Sequence, residues 1–198
     1  MRTKVNRIAQ TVVFGAAVLV ALSCNSVNRE SSPVKLVVTN DQALHQIDLS
    51  PTAANCNQNI ATVNLQSVLL QDQLNGTLPT DNRFNDIKID RYEINYVRTD
   101  GGKAIPQPFV RSISGLIVAG GSSSLLTSFV AFQPDAVTQA PFASLLPVNG
   151  GRDAETGKDF VQMDVILSVF GQTLAGERVS GTTRIPLTFC FATCNGCS

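Results

Sequence analysis

Residues 159–170 and 177–191 carry the pattern that most restricts the fold of this chain, because apolar side chains occupy every second position in both, with Gly181 and Thr183 filling the gaps in the second. A period of two places each set on one face of a pleated strand. The segment from Gly171 to Gly176 begins and ends in glycine and is expected to join the strands as a β-hairpin. The alternating residues are Val161, Met163, Val165, Leu167 and Val169, then Val179, Ile185, Leu187, Phe189 and Phe191.

The parity of these residues also predicts the register of the hairpin. All ten are odd-numbered, so the two apolar faces coincide only if directly opposed residues have an even index sum, such as Val169 with Val179. A sheet with one continuous apolar face needs a second layer to cover it. The hairpin therefore predicts a β-sandwich.

Upstream stretches show the same alternation. A first strand is expected at residues 34–38 and a second from about residue 61 to residue 70. A third carries an apolar face of Tyr92, Ile94 and Tyr96, which we interpret as core. Ile87 and Ile89 have the opposite parity, which predicts a β-bulge near Asp90 or Arg91.

Proline, glycine and asparagine divide the rest of the chain. Residues 41–59 and 149–158 are expected to be polar loops, and residues 125–132 a buried strand. Pro106 and Pro108 limit the stretch around them to an edge strand or a loop. Residues 141–146 are expected to form one helical turn that Pro147 ends.

About seven strands without a long helix predict an all-β fold with one antiparallel β-sandwich over residues 34–198. The pattern resembles an immunoglobulin-like or fibronectin-like domain in architecture. The Cys…Trp…Cys signature of true immunoglobulin domains is missing, since the chain has no tryptophan. A closed barrel is the alternative.

The N-terminus has the composition of an export signal. Arg2, Lys4 and Arg7 precede the apolar run of residues 12–22. This run is shorter than the roughly 20 residues that a spanning helix needs, and it suits the apolar region of a secretory signal peptide. A transmembrane anchor is the less favoured interpretation.

The tetrapeptide Ala21-Leu22-Ser23-Cys24 resembles the lipobox of bacterial lipoproteins. The resemblance implies that a signal peptide of residues 1–23 is removed and that Cys24, lipidated, becomes the first residue. In that family an Asp after the cysteine often signals retention in the inner membrane, so Asn25 implies the outer membrane of the cell envelope. Residues 24–33 are polar and predict a flexible tether. An ordinary secretory peptide with an incidental cysteine is the alternative.

Four cysteines remain once Cys24 is assigned to lipid, namely Cys56, Cys190, Cys194 and Cys197. An even number in an exported chain favours two structural disulfides, with Cys56 joined to one of the C-terminal three. Cys190 has the parity of the outward face of its strand. The alternatives are a zinc site of four thiolates and a thiol oxidoreductase using the C-x-x-C at residues 194–197.

No recognisable catalytic set, cofactor motif or metal site is found in the sequence. His45 is the only histidine and is interpreted as solvated, and the carboxylates at residues 81–86 and 153–159 are interpreted as solvated turns. A hydrophobic content of 43% excludes an intrinsically disordered chain. Without its leader the chain has 12 basic and 15 acidic residues, which argues against a nucleic-acid partner.

These observations predict a non-enzymatic binding or assembly module that lies in the cell envelope. It would be held at the membrane through Cys24 and would contact a protein or glycan through edge strands or loops. The alternatives are an envelope enzyme, either a carboxylate hydrolase or a thiol oxidoreductase, and a metal-binding protein that uses the cysteine cluster.

Overall fold

The computed structural model of the chain describes residues 32–40, 45–50, 59–60, 63–70, 83–120, 124–126 and 129–192. All of them belong to one unit, Ser32–Ser198. The expected signal peptide, Cys24 and most of the expected tether lie outside the described residues. The strands are β1 Val34–Thr39, β2 His45–Asp48, β3 Asn59–Ile60, β4 Val63–Leu69, β5 Ile87–Arg98, β6 Phe109–Ile117, β7 Ser124–Leu126, β8 Phe129–Val130, β9 Phe160–Thr173 and β10 Arg178–Cys190.

The strands form a five-stranded sheet, a three-stranded sheet and a two-stranded pair. Their orders are β2-β10-β9-β5-β6, β1-β4-β7 and β3-β8. Strand β2 runs parallel to β10, and the other pairs are antiparallel. Strand β1 packs against β10, so the three-stranded sheet covers one face of the five-stranded sheet. The predicted all-β sandwich is confirmed, whereas an immunoglobulin-like topology stays a prediction.

The C-terminal hairpin has the predicted parity but a different turn. Opposed residues have an even index sum, as predicted, but Val169 faces Gly181 and Val179 faces Gly171. The connection is residues 174–177 rather than 171–176, and Gly176 has the positive φ of 96° that this tight turn requires. Strand β9 therefore extends three residues further than the sequence predicted, whereas β10 begins and ends one residue inside its predicted range.

Position 171 lies within β9, and it is a glycine because the neighbouring strand β5 comes too close to leave room for a side chain. A Cβ atom at this position would lie 2.7 Å from the carbonyl oxygen of Lys88 in β5. A Cβ on Gly181 would likewise lie 2.4 Å from the carbonyl oxygen of Leu36 in β1. The two glycines thus allow close backbone approach, one within the sheet and one between the sheets.

The core lies between the two larger sheets. The predicted inward residues of β9 are at most 1% exposed, and those of β10 from Val179 to Phe189 at most 8%. Phe191 is only half-buried. They are covered by the apolar face of β1, where Val34, Leu36 and Val38 are all buried. The alternating apolar residues of β9 and β10 therefore define the core.

The predicted β-bulge in β5 is confirmed. The register of β5 shifts between Ile89 and Arg91 against both of its neighbours, β6 and β9. Ile87 and Ile89 before the shift and Ile94 after it are all at most 3% exposed. The extra residue at the bulge thus lets the odd-numbered residues before it and the even-numbered residues after it face the same core.

Two local predictions are wrong. Residues 41–59 are not one loop, because β2 adds to the edge of the large sheet and buries Ile47. Residues 125–132 do not form a single strand, since β7 and β8 belong to different sheets. In both cases contacts between distant segments decide the local structure. The helical turn predicted at residues 141–146 is confirmed as the 3₁₀ helix Phe142–Leu145, and Pro147 begins a second one, Pro147–Asn149.

Candidate functional site

The strands of the large sheet define two ends of the sandwich. We call the proximal end the one where β1 and β5 begin, and the distal end the one where β5 ends at Arg98. Two distal loops meet there, residues 99–108 between β5 and β6 and residues 150–158 before β9.

Arg98 joins the two distal loops through a buried network of charges. Its guanidinium donates two hydrogen bonds to Asp100, at 2.8 Å from Nε to Oδ1 and 2.7 Å from Nη2 to Oδ2. Nη2 also donates to Oδ2 of Asp153 at 2.9 Å. The three side chains are at most 2% exposed. One buried cation therefore binds a carboxylate from each loop.

Glu155 adds a second link between the same loops at the protein surface. Its Oε2 accepts hydrogen bonds from the backbone N–H groups of Lys103, at 2.6 Å, and Ala104, at 2.8 Å. The same oxygen lies 3.5 Å from Nη1 of Arg98. The Glu155 side chain is 38% exposed, so this link forms the outer edge of the network.

The remaining acceptor positions of the two buried aspartates are also filled. Asp100 accepts hydrogen bonds from the backbone N–H groups of Gly102 at 3.0 Å and Gln162 at 2.9 Å. Asp153 accepts from both the N–H, at 2.9 Å, and the hydroxyl, at 2.7 Å, of Thr156. Buried charges are tolerated only when they are paired and hydrogen-bonded in this way.

These contacts shift the ionisation of the network. Burial alone would raise the pKa of Asp100, but the hydrogen bonds from Arg98, Gln162 and Gly102 outweigh it and lower that pKa to about 2. Asp153 likewise has a lowered pKa, because hydrogen bonds from Arg98 and Thr156 outweigh the effect of burial. Backbone hydrogen bonds from Ala104 and Lys103 lower the pKa of Glu155. All three carboxylates are therefore ionised at neutral pH.

The network is suited to holding loops in place rather than to chemistry. A carboxylate with a pKa near 2 is a poor general acid or base at neutral pH. The centre of the cluster is occupied by the guanidinium of Arg98, and within the described ranges no group of three or more His, Cys, Asp or Glu residues could hold a metal ion. The expectation of a solvated loop at residues 153–159 is wrong for Asp153, which the network buries.

The distal half of the sandwich also carries exposed apolar and charged residues. Ile105 is 40% exposed, Val110 at the start of β6 is 58% exposed and Val148 is 86% exposed. Lys103 is also exposed. Strand β6 is the last strand of its sheet, so its outer edge is paired with no strand among those described. We call Lys103, Ile105, Val110 and Val148 the distal surface.

Cys190 is buried, contrary to the expectation from its parity. It is 4% exposed, because the end of β10 is covered on both faces. Its sulfur lies 3.9 Å from the carbonyl oxygen of Ile47 in β2. Cys190 is the only cysteine within the described ranges, so the pairing with Cys56, Cys194 or Cys197 stays a prediction.

The other candidate residues are placed away from the Arg98 network. His45 begins β2 and is opposite Leu187 in register; its side chain is not described. Asp86 is buried and its Oδ1 accepts a hydrogen bond from the N–H of Ala119 at 2.9 Å, so it is not a solvated turn residue. Tyr92 and Tyr96 are core residues, as interpreted.

Sequence reasoning missed Arg98 entirely. The residue follows an apolar strand and precedes a glycine turn, as many surface arginines do. Its partner Asp153 is 55 positions away in the chain. The sequence showed only that Arg98 is close to Asp100 and precedes a turn at Gly101 and Gly102. Neither feature predicts that the Arg98 side chain is buried.

Comparison with known proteins gives no relative. No protein-family model, curated protein or solved structure matches the chain. In the part of the chain that the structure describes, no helix has both the length and the apolar character to cross a membrane.

Proposed function

We propose that this protein is a lipid-anchored, non-catalytic module of the cell envelope that binds a partner protein or glycan through its distal surface. The anchor is the lipidated Cys24, and Asn25 favours the outer membrane over the inner one. The tether to Pro33 spans at most roughly 30 Å. The β-sandwich is the rigid body that this tether carries.

The observation that carries the proposal is the buried network of charges around Arg98. A preorganised loop loses less conformational entropy on binding than a mobile one, so it binds more tightly for the same contacts. Arg98 and Glu155 hold two loops from different parts of the chain in one geometry. Loops positioned by a rigid scaffold are common binding surfaces.

The distal surface has the composition of a small interface. Val148 and Val110 offer exposed apolar area, and Lys103 and Glu155 supply charges at its rim. The open edge of β6 adds backbone groups that an extended partner segment can pair with.

Binding through this surface is tested with matched substitutions. Envelope extracts are captured on the protein carrying Val148→Asp and on the protein carrying Thr182→Asp, which changes an exposed residue of β10 outside the distal surface. We expect Val148→Asp to lose a partner that the unmodified protein and Thr182→Asp both retain, with unchanged melting temperatures. Equal retention by both variants, or turnover of a substrate by the purified protein, would contradict the proposal.

We infer that Cys56 is the disulfide partner of Cys190. Strand β2 pairs with the end of β10, and the N–H of Leu49 donates to the carbonyl of Cys190 at 2.8 Å. The segment that leads to Cys56 therefore starts beside Cys190. This bond would close a loop of more than 130 residues and contribute on the order of 4–5 kcal/mol on the chain-entropy model. Peptide mapping without reduction tests the pairing, and a Cys190–Cys194 or Cys190–Cys197 peptide would refute it.

A further inference from the structure

The large exposed apolar residues are divided unequally between the two ends of the sandwich. Among the residues that the structure describes, every leucine and phenylalanine of this group lies at the proximal end, and its members in the distal half are valine and isoleucine. The proximal set also includes one valine. The five residues, which we call the proximal apolar face, are Leu70 at 44% exposure, Phe84 at 69%, Leu116 at 54%, Val118 at 55% and Leu174 at 50%.

Asp86 brings three of the segments that carry this face together. Its carbonyl oxygen accepts a hydrogen bond from the N–H of Leu174 at 2.9 Å, and its Oδ1 accepts one from Ala119 at 2.9 Å. The N–H of Ala175 donates to the carbonyl of Phe84 at 3.0 Å. The face is therefore built from fixed turns at the ends of three strands.

The described chain begins at the same end. The N–H of Leu70 donates to the carbonyl of Pro33 at 2.8 Å, and the N–H of Gly120 donates to the carbonyl of Ser67 at 3.2 Å. Pro33 thus lies beside the segment that leaves β6 after Val118. A tether of residues 24–33 that starts at a lipidated Cys24 would connect to the sandwich next to its apolar face.

Exposed basic residues flank the proximal end. Four of them lie at the ends of the strands that meet there, namely Lys35, Arg83, Lys88 and Arg178. The carboxylate of Asp86 at this end is buried and that of Glu177 is partly buried. The distal loops carry both signs of charge, since Arg98, Lys103, Arg152 and Lys158 accompany Asp100, Asp153 and Glu155.

We propose that the proximal apolar face rests in the interfacial layer of the membrane and fixes the orientation of the sandwich on the lipid surface. Leucine and phenylalanine enter the headgroup and acyl boundary, and flanking lysine and arginine are attracted to anionic headgroups. The inference rests on the proposed anchor at Cys24, whose short tether keeps this end close to the bilayer. Docking directs the distal surface away from the membrane.

The absence of tryptophan from the sequence permits a direct test. Phe84→Trp places a fluorescent probe on the proximal apolar face, and Val148→Trp places the matched control on the distal surface. Each full-length chain is expressed, exported and reconstituted in vesicles of phosphatidylcholine and phosphatidylglycerol, with and without brominated acyl chains. We expect the brominated lipids to quench most of the Phe84→Trp emission and to leave Val148→Trp unchanged.

Each outcome separates docking from anchoring. If mass spectrometry finds acylated Cys24 while Phe84→Trp is unquenched, the docking proposal fails and the anchor stands. If Cys24 is unmodified while Phe84→Trp is quenched, docking stands and the anchor fails. A Phe84→Trp emission that is shielded from aqueous quenchers but insensitive to brominated lipids would assign the face to a protein contact and overturn docking. Replacing phosphatidylglycerol by phosphatidylcholine is expected to weaken the quenching at least about twofold, because the basic residues lose their anionic partners.

Discussion

Arg98 is the residue on which the geometry of the distal loops depends. Its side chain is 2% exposed and its guanidinium donates hydrogen bonds to two carboxylates whose side chains are also at most 2% exposed. Removing one member of a buried ion pair costs more than the pair itself contributes, since the remaining charge stays buried without its partner. Arg98 therefore holds the loops in place and also makes them sensitive to its loss.

Arg98→Leu is expected to lower the free energy of unfolding by about 3–5 kcal/mol, because Asp100 and Asp153 lose their counterion. Urea denaturation followed by circular dichroism measures this change. Arg91→Leu is the matched control, since the Arg91–Asp90 pair is about half exposed and its loss is expected to cost about 1 kcal/mol or less. Equal losses for the two variants would show that the buried network contributes no more than a surface pair.

The lowered pKa of Asp100 predicts a dependence of stability on acid pH. The pKa of about 2 in the folded protein lies below the value of roughly 3.9 for an unfolded aspartate, so its contribution is complete above pH 4. It is lost as the pH falls from about 4 to 2. We expect the stability difference between the native protein and Asp100→Asn to narrow across that interval in urea titrations. A difference that stays constant from pH 7 to pH 2 would contradict the assignment, and Asp90→Asn controls for the loss of an exposed carboxylate.

At the scale of the strand, the two strand glycines show that the close approach of backbones limits side-chain size. Gly181→Ala is expected to destabilise the protein by roughly 1–3 kcal/mol, because its Cβ would overlap the carbonyl oxygen of Leu36 in β1. Gly115→Ala in β6 is the control, since no atom lies within 4 Å of its Cβ position and its φ is not positive. We expect Gly115→Ala to be neutral or stabilising by up to about 1 kcal/mol. Thermal unfolding of the two variants measures both changes, and a neutral Gly181→Ala would refute the packing of β1 on β10.

Strands were predictable where side-chain parity alone determines burial. The alternation in β9 and β10 and the parity change around Asp90 gave the core face, the even index sum and the bulge. Strand β2 was missed because its burial comes from its parallel pairing with the distant end of β10 rather than from a pattern of its own. The hairpin turn was misplaced because Gly171 serves close packing against Lys88, which the sequence does not distinguish from a turn.

At the scale of the whole molecule, the two ends of the sandwich have different chemistry. The proximal end combines the start of the described chain with Phe84 and Leu174, which are exposed and apolar. The distal end combines a buried charge network with loops that it holds. This difference between the two ends follows from the order of the strands. It was not visible in the overall composition, where basic and acidic residues are equal in number at 15 each.

The proposed function requires the attachment of this sandwich to a membrane through Cys24. The most direct measurement is intact-mass and N-terminal peptide mass spectrometry of the full-length chain after expression in a bacterial host and extraction from its membranes. We predict a mature chain that starts at Cys24 and carries acyl groups on it, and a Cys24→Ser variant that is neither processed at this position nor acylated. A mature chain that starts elsewhere, or an unmodified Cys24 in protein recovered without detergent, would contradict the account.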